Sequence, residues 1–187
     1  KAQLNVMERA LALLREGKPA RRLDLAKDEQ EIFRQLQLLT AKPVLYACNV
    51  DEESAAQGNE LSAKVAEFAT NEGAACVVIS AAIESEAAQL SDPTERQEFL
   101  DSLGLTETGL TRVIRAGYEL LGLITFFTVG PKETRAWTTT KGTKAPQGAG
   151  VIHTDFERGF ICAETVAYDD YIACNGEQGA KDTGKMR

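Results

Sequence analysis

Apolar residues in the first forty positions recur at helical spacing. Leu4, Met7, Leu11 and Leu14 step three, four and three residues apart, one stripe of a helix over 2–16. Gly17 and Pro19 stop that helix. The stripe reads either as a core-facing surface or as a coiled-coil seam. A second helix is expected from Asp28, with Asp28 as N-cap and Glu31 three residues on, a variant of the capping box. Ile32, Phe33, Leu36 and Leu39 would be its apolar face.

The period then changes. Pro43 opens a short unbroken apolar run, 44–48, that ends at Asn49. A polar loop, 51–58, leads to a helix over 59–72 with Leu61, Val65, Phe68 and Ala69 on one face and Gly73 at its end. A second apolar run, 75–79, ends at Ser80. Such runs fit strands covered on both faces, as in a parallel sheet. Strand, helix and strand make a βαβ unit, for which the crossover is right-handed. Helices follow over 82–90, from the capping signal Asp92-Pro93-Thr94-Glu95, and over 108–121, closed by Gly122. Beyond 122 the pattern is strand-like, with candidates at 124–129, 135–139 and 159–166 and the Gly130-Pro131 turn between the first two. Residues 168–174 read as a short helix and 176–187 as a polar, glycine-rich tail. The expectation is an α/β front part and a small α+β domain, divided near 122.

Charge sharpens that division. Of the 21 basic and 28 acidic residues, 13 and 20 fall in residues 1–121, and 8 and 8 in residues 122–187. The front part is acidic, and a broad basic footprint for nucleic acid is missing. No run of 18 apolar residues exists, so no membrane helix is expected. The first residues carry neither Met nor an apolar signal core, and the chain reads as a fragment or a processed piece. Four cysteines without a C-x-x-C pair fit reduced thiols in a cytosolic setting.

The most informative chemistry is Asn49-Val50-Asp51-Glu52 at the carboxyl end of the first parallel strand, where open α/β sheets bind ligands. An asparagine amide can bond to the N7 side of a purine, and a carboxylate three residues on can accept N–H groups from the Watson–Crick edge. In the G-protein form, N-K-x-D, an aspartate accepts from guanine; here Glu52 stands in its place and Val50 replaces the lysine. The longer acid displaces the acceptor and makes adenine a credible ligand. Four such residues also suit a helix-capping loop. The next strand tips the balance, because it ends in Ser80-Ala81-Ala82, similar to the S-A element of small GTPases whose backbone N–H meets the base's position 6.

These elements, with A-A-I-E-S-E at 81–86, G-L-T-R-V-I-R-A-G-Y at 109–118, R-A-W-T at 135–138 and V-I-H-T-D-F-E-R-G-F-I at 151–161, resemble the YchF (EngD) family of Obg-related P-loop NTPases. The resemblance spans nearly the whole chain. It implies the end of a helical coiled-coil insertion over 1–40, the rear of a Ras-like parallel-sheet nucleotide domain over 41–121, and a β-grasp TGS domain over 122–187 that stops before its last strands. It implies ATP or GTP as ligand, with ATP favoured in many members, and association with the ribosome or its RNA in the cytoplasm, with neither membrane nor DNA specificity. Asn49, Val50 and Glu52 match the family's N-x-x-E base motif, and Ser80, Ala81 and Ala82 the S-A element. No G-x-x-x-x-G-K-[ST] is present, so Mg²⁺ ligands and phosphate cradle are expected upstream. This stretch alone should carry no catalytic residue and no metal, and should not hydrolyse ATP. The alternative function is a TGS-type RNA or ribosome adaptor without catalysis.

Other chemistry-bearing residues read more plainly. His153 lacks further ligands for a metal and reads as part of a turn before a helix capped by Thr154 or Asp155, or as a partner contact. Trp137 and Phe127 suit a sheet core better than base stacking. Cys48 and Cys76 are expected to be buried and inert. Glu84, Glu86 and Asp92 are expected to face water, and Arg21 and Arg22 to sit in a solvated loop.

Overall fold

The computed structural model describes residues 1–187, which divide into two compact units, Lys1–Gly122 and Leu123–Arg187.

In the first unit, α1 (Ala2–Arg15) packs on α2 (Glu29–Gln35) through Val6 and Ala10, whose exposures are 0% and 2%. The stripe Leu4, Met7, Leu11 and Leu14 instead faces outward, so it is not this unit's core face. Val and Ala four residues apart are smaller and allow the closer approach to α2. Arg9 ties the two segments by an ion pair to Glu29 at 2.7 Å and by donating to the Asp24 carbonyl. Asp28 precedes α2 without capping it; Glu29 Oε2 reaches back to the Ala26 N–H at 3.1 Å, and Glu31 pairs with Arg34. Positive φ at Gln37 follows the helix, so Leu39 falls outside α2 and is exposed.

Arg21 and Arg22 are not a free loop. Arg21 meets Glu72 at 2.5 Å with both side chains shielded, and Arg22 donates to the Asn71 carbonyl at 2.6 Å. Tyr46 also donates to Glu72, at 3.0 Å. Burial pushes the Glu72 carboxyl up, but the Tyr46 and Arg21 hydrogen bonds outweigh it and hold the group below its ordinary value. The same bond to Glu72 raises the Tyr46 phenol.

β1 (Leu45–Asn49) and β2 (Ala75–Ile79) pair in parallel, Leu45 opposite Ala75 and Asn49 opposite Ile79. Between them runs α3 (Glu60–Glu72), opened by a full capping box: Asn59 Oδ1 accepts from Ser62 N at 2.9 Å and Ser62 Oγ from Asn59 N at 2.8 Å. Gly73, at φ 66°, closes α3 in the left-handed conformation that glycine adopts without a Cβ penalty. Tyr46 meets Phe68 of α3 edge to face, ring centroids 5.9 Å apart. Leu61 and Phe68 are nonetheless largely exposed, and Ser62 and Ala69 are the buried positions of α3. Cys48 and Cys76 are half-buried, their sulfurs 3.7 Å apart across the strands. Burial, then the hydrogen bond with Cys48, raises the Cys76 thiol, which lowers its reactivity.

Three helices complete the unit: α4 (Ala81–Ala87), α5 (Pro93–Ser102) and α6 (Gly109–Leu120). Asp92 caps α5 by accepting from Thr94 N and Glu95 N, at 2.7 and 3.3 Å, and those bonds lower its pKa. Thr108 caps α6. Arg96 of α5 donates to the carbonyls of Ala87 and Leu90 and fixes the α4–α5 corner.

The second unit opens with an antiparallel hairpin, β3 (Leu123–Val129) and β4 (Thr134–Thr140), with Phe126 opposite Trp137. Trp137 Nε1 donates to Thr128 Oγ1 at 2.9 Å, and the Arg135 guanidinium lies 4.3 Å from the Trp137 ring centroid. α7 (Ala145–Ile152) and α8 (Thr154–Arg158) follow, with His153 itself capping α8, its Nδ1 accepting from Asp155 N at 3.2 Å. The third strand expected at 159–166 is absent. Residues 160–167 take no regular structure, and Ile161 is 91% exposed. Between the helix-end bonds of Phe160 to Glu157 and Ala167 to Tyr171, Thr165 alone has a backbone partner, exchanging both hydrogen bonds with Arg187 at 2.8 and 2.9 Å. β-Propensity needs a ladder, and no neighbouring strand supplies one. α9 (Tyr168–Ala173) and α10 (Glu177–Asp182) end the chain, α10 within the segment read as an irregular tail. No helix is long and apolar enough to cross a membrane.

Candidate functional site

The parallel register brings the tips of β1 and β2 to one rim. Asn49 is opposite Ile79, and Val50 N continues the ladder by donating to the Ile79 carbonyl at 2.9 Å. Beyond that bond the two segments diverge, β1 into a loop and β2 through Ser80 directly into α4, and a side chain joins them: Asn49 Oδ1 accepts from Ala81 N at 2.9 Å, 32 residues away in sequence. Holding the oxygen fixes the amide plane, which leaves the two amide N–H donors for a ligand. Asn49, Ala81 and Ala82 are exposed and Val50 is half-buried.

The loop after β1 and the start of α4 are anchored from below by one apolar cluster. Ala55, two residues past the Asn49–Glu53 stretch, is 1% exposed and packs with Ile83 of α4, Leu100 of α5 and Leu105. The loop is folded tightly, Asp51 Oδ1 accepting from Ser54 N at 2.9 Å and the Glu52 carbonyl accepting from Ala55 N at 3.2 Å. That turn leaves the Glu52 side chain exposed beside the rim, with its carboxylate available.

Ser80 differs from the other site residues. It is 2% exposed, its hydroxyl makes no hydrogen bond, and it does not cap α4 with its side chain. The first N–H after it, at Ala81, is engaged by Asn49 rather than left open for a base.

Sequence reasoning missed Glu84. Its carboxylate does not face water but accepts from Gly109 N at 2.5 Å and Leu110 N at 3.2 Å, the opening donors of α6. No local signal marks such a bond, because its partners lie 25 and 26 residues away.

A cavity of about 350 Å³ adjoins the rim along β1, lined by Tyr46, Cys48, Asn49, Asn59, Leu61 and Val65. A larger cleft of about 710 Å³, beside α2 and lined by Phe33, Arg34, Leu38 and Lys42, holds no carboxylate and no part of the strand tips. No group of three or more His, Cys, Asp or Glu side chains could hold a metal ion.

Fold and site together define a mixed α/β protein whose parallel strand tips carry an asparagine amide and, in the loop after β1, an exposed carboxylate. A family model, YchF-GTPase_C, described as a protein of unknown function (DUF933), matches residues 123–187. The "Ribosome-binding ATPase YchF" of Bacillus subtilis is 53% identical over 91% of this chain and 47% of its own length. The protein of the same name from Escherichia coli O157:H7 is 50% identical over the whole chain and 51% of its own. "Obg-like ATPase 1" of Rattus norvegicus is 43% identical over 85% of this chain and 40% of its own. Among solved structures, the Schizosaccharomyces pombe YchF GTPase superposes with a TM-score of 0.84 at 35% identity, over 97% of this chain and 48% of the other. The chain belongs to the YchF family, and it spans about half the length of the curated relatives it matches.

Proposed function

We propose that this chain is the base-recognising and C-terminal part of an Obg-related nucleoside triphosphate hydrolase that works at the ribosome in the cytoplasm. The observation that carries the reading is the Asn49 Oδ1–Ala81 N bond, which couples the end of β1 to the start of α4 at the tips of adjacent parallel strands. In this reading residues 1–40 end a coiled-coil insertion, 41–121 are the rear of a Ras-like domain, and 122–187 are TGS-like. The relatives' names, ribosome-binding ATPase and Obg-like ATPase, support the activity and the partner.

Asn49 donates its amide to the purine N7, Val50 flanks the ring, and Glu52 accepts from an exocyclic amino group. Ala81 and Ala82 form the wall opposite, in the first turn of α4, which Ser80 precedes. The engagement of the Ala81 N–H favours adenine: guanine's O6 wants a donor there, and the nearest one is already given to Asn49. ATP is therefore the preferred ligand over GTP. Mg²⁺, which would neutralise charge on the β- and γ-phosphates during hydrolysis, takes its ligands from residues upstream in a longer polypeptide, as does the phosphate cradle. The 187 residues alone hydrolyse nothing in this reading, since they hold the purine and leave the triphosphate without partners.

The test is titration calorimetry on the longest natural polypeptide that carries this sequence. Asn49→Ala is expected to weaken ATP binding by about 1–3 kcal/mol, the loss of the amide's hydrogen bond to the base and of the fixed Ala81 contact. Glu52→Asp is expected to move preference toward GTP. An Asn49→Ala protein with unchanged ATP affinity sinks the base-site assignment. A second reading, an RNA-binding adaptor, draws on the Arg135–Trp137 stack on β4, a surface on which a base could lie. Ribosome pull-downs with and without ATP separate the two, because only the first makes the association respond to nucleotide.

A further inference from the structure

The junction from β2 through Ser80 into the first turn of α4 has a fixed start and a fixed end. At its start, Ile79 is held in the ladder opposite Asn49, and its carbonyl accepts from Val50 N. At its end, one turn into α4, Glu84 places both carboxylate oxygens on the opening N–H groups of α6, Oε1 on Gly109 and Oε2 on Leu110. Those N–H groups have no partner within their own helix, and the end of the helix carries partial positive charge. A carboxylate is the side chain best suited to both.

The contact is also sterically specified. A Cβ at Gly109 would lie 3.0 Å from Glu84 Oε1 and 3.1 Å from Ile79 Cγ2. Glycine at 109 therefore lets α6 approach the end of β2 and the Glu84 carboxylate at once. Ile79, Ser80, Ala81 and Glu84 are consecutive parts of one short path, so the angle at which α4 leaves β2 is set by the Glu84–α6 bond. That angle decides whether Ala81 N points at Asn49 Oδ1, and hence how the Asn49 amide is turned.

We infer that Glu84 is a positioning residue for base recognition, acting through α6 on the Ala81–Asn49 bond without touching the ligand; the inference rests on the purine reading of the Asn49 site. Glu84 sets the orientation of the asparagine amide, and so governs discrimination between bases more than total affinity for the nucleotide. Charge is the part of the side chain that matters, because the two N–H donors need two acceptors and a negative group.

The experiment compares wild type, Glu84→Ala, Glu84→Gln and Asn49→Ala in the longest natural polypeptide carrying this sequence, measuring ATP and UTP affinity by calorimetry. Hydrogen exchange of the Ala81 and Gly109 amides is followed alongside, and circular dichroism confirms folding. Glu84→Ala is expected to lose about tenfold in the ATP-over-UTP ratio, the size of one neutral hydrogen bond to the base lost through misorientation of the Asn49 amide. UTP affinity should stay near wild type, and both amides should exchange faster. Glu84→Gln, which keeps the shape and one good acceptor, should fall between; if the alanine protein does not fold, this variant decides. A ratio unchanged in the Glu84 variants but lost in Asn49→Ala overturns the positioning role and leaves the purine site standing. A ratio unchanged in all three overturns both.

Discussion

The run at 75–79 and the segment 159–166 both read as strands, yet only the first becomes one. Ala75–Ile79 lies beside Leu45–Asn49, and each residue finds a partner in the register. Residues 160–167 are also rich in apolar side chains, but Thr165 alone makes a ladder-like pair, exchanging bonds with Arg187, while Phe160 and Ala167 bond only to neighbouring helix ends. The difference teaches that a strand is a property of two segments. Apolar, β-branched sequence supplies the willingness, and a neighbour within ladder distance supplies the structure.

Four changes break or sharpen that contrast. The largest effect is expected beneath the paired strands. Ile83→Ala, in the cluster that anchors the loop after β1 and the start of α4, should lose about 3 kcal/mol in a urea titration through transfer and cavity terms. In the hairpin of the second unit, Thr128→Val removes the acceptor of the Trp137 indole and should cost about 1 kcal/mol by the same measurement. At the unpaired segment, Thr165→Pro removes one of the two bonds to Arg187 and should shift thermal unfolding by about a degree or less, since a solvent-exposed bond contributes little. A loss as large as that of Ile83→Ala would mean that 160–167 is held far more firmly than its exposure indicates.

The fourth is a pH effect. Glu72 titrates below its ordinary value in the folded chain, so its ion pair with Arg21 contributes fully above the unfolded carboxylate pKa. That contribution fades as pH falls through the lower, folded value. Asp92 behaves likewise through its bonds to Thr94 and Glu95. Wild type should thus lose thermal stability on acidification more steeply than Glu72→Gln. Matching slopes would count against the depressed carboxyl.

Much of the first unit was legible because its signals are local. Asn59 and Gly73 bracket α3, Asp92 and Pro93 open α5, and two short apolar runs mark β1 and β2. What escaped depends on contacts remote in sequence. Arg21 and Glu72 are 51 residues apart, and Glu84 and Gly109 are 25 apart, so neither pair leaves a spacing to read. The outward turn of Leu4, Met7, Leu11 and Leu14 escaped for a related reason: periodicity marks a stripe but not which side of the helix meets a neighbour. In the second unit, α7 begins with Pro146 in its first turn, a start signal that was there to be used, while α10 has a composition of glycine and charge that suits a loop equally well. At the rim, the strand ends pointed to Asn49 and Ser80, but the division of labour did not show. The amide of Asn49 is tied to Ala81, and the hydroxyl of Ser80 is hidden.

That hidden hydroxyl makes position 80 a thermodynamic liability. Its removal in Ser80→Ala relieves a desolvated donor, and the melting curve should move upward, by an amount equivalent to about 1 kcal/mol. A library selected for endurance of heat alone should therefore drift to alanine at 80. Whatever such a library forfeits along the way is a direct assay of what the serine is for.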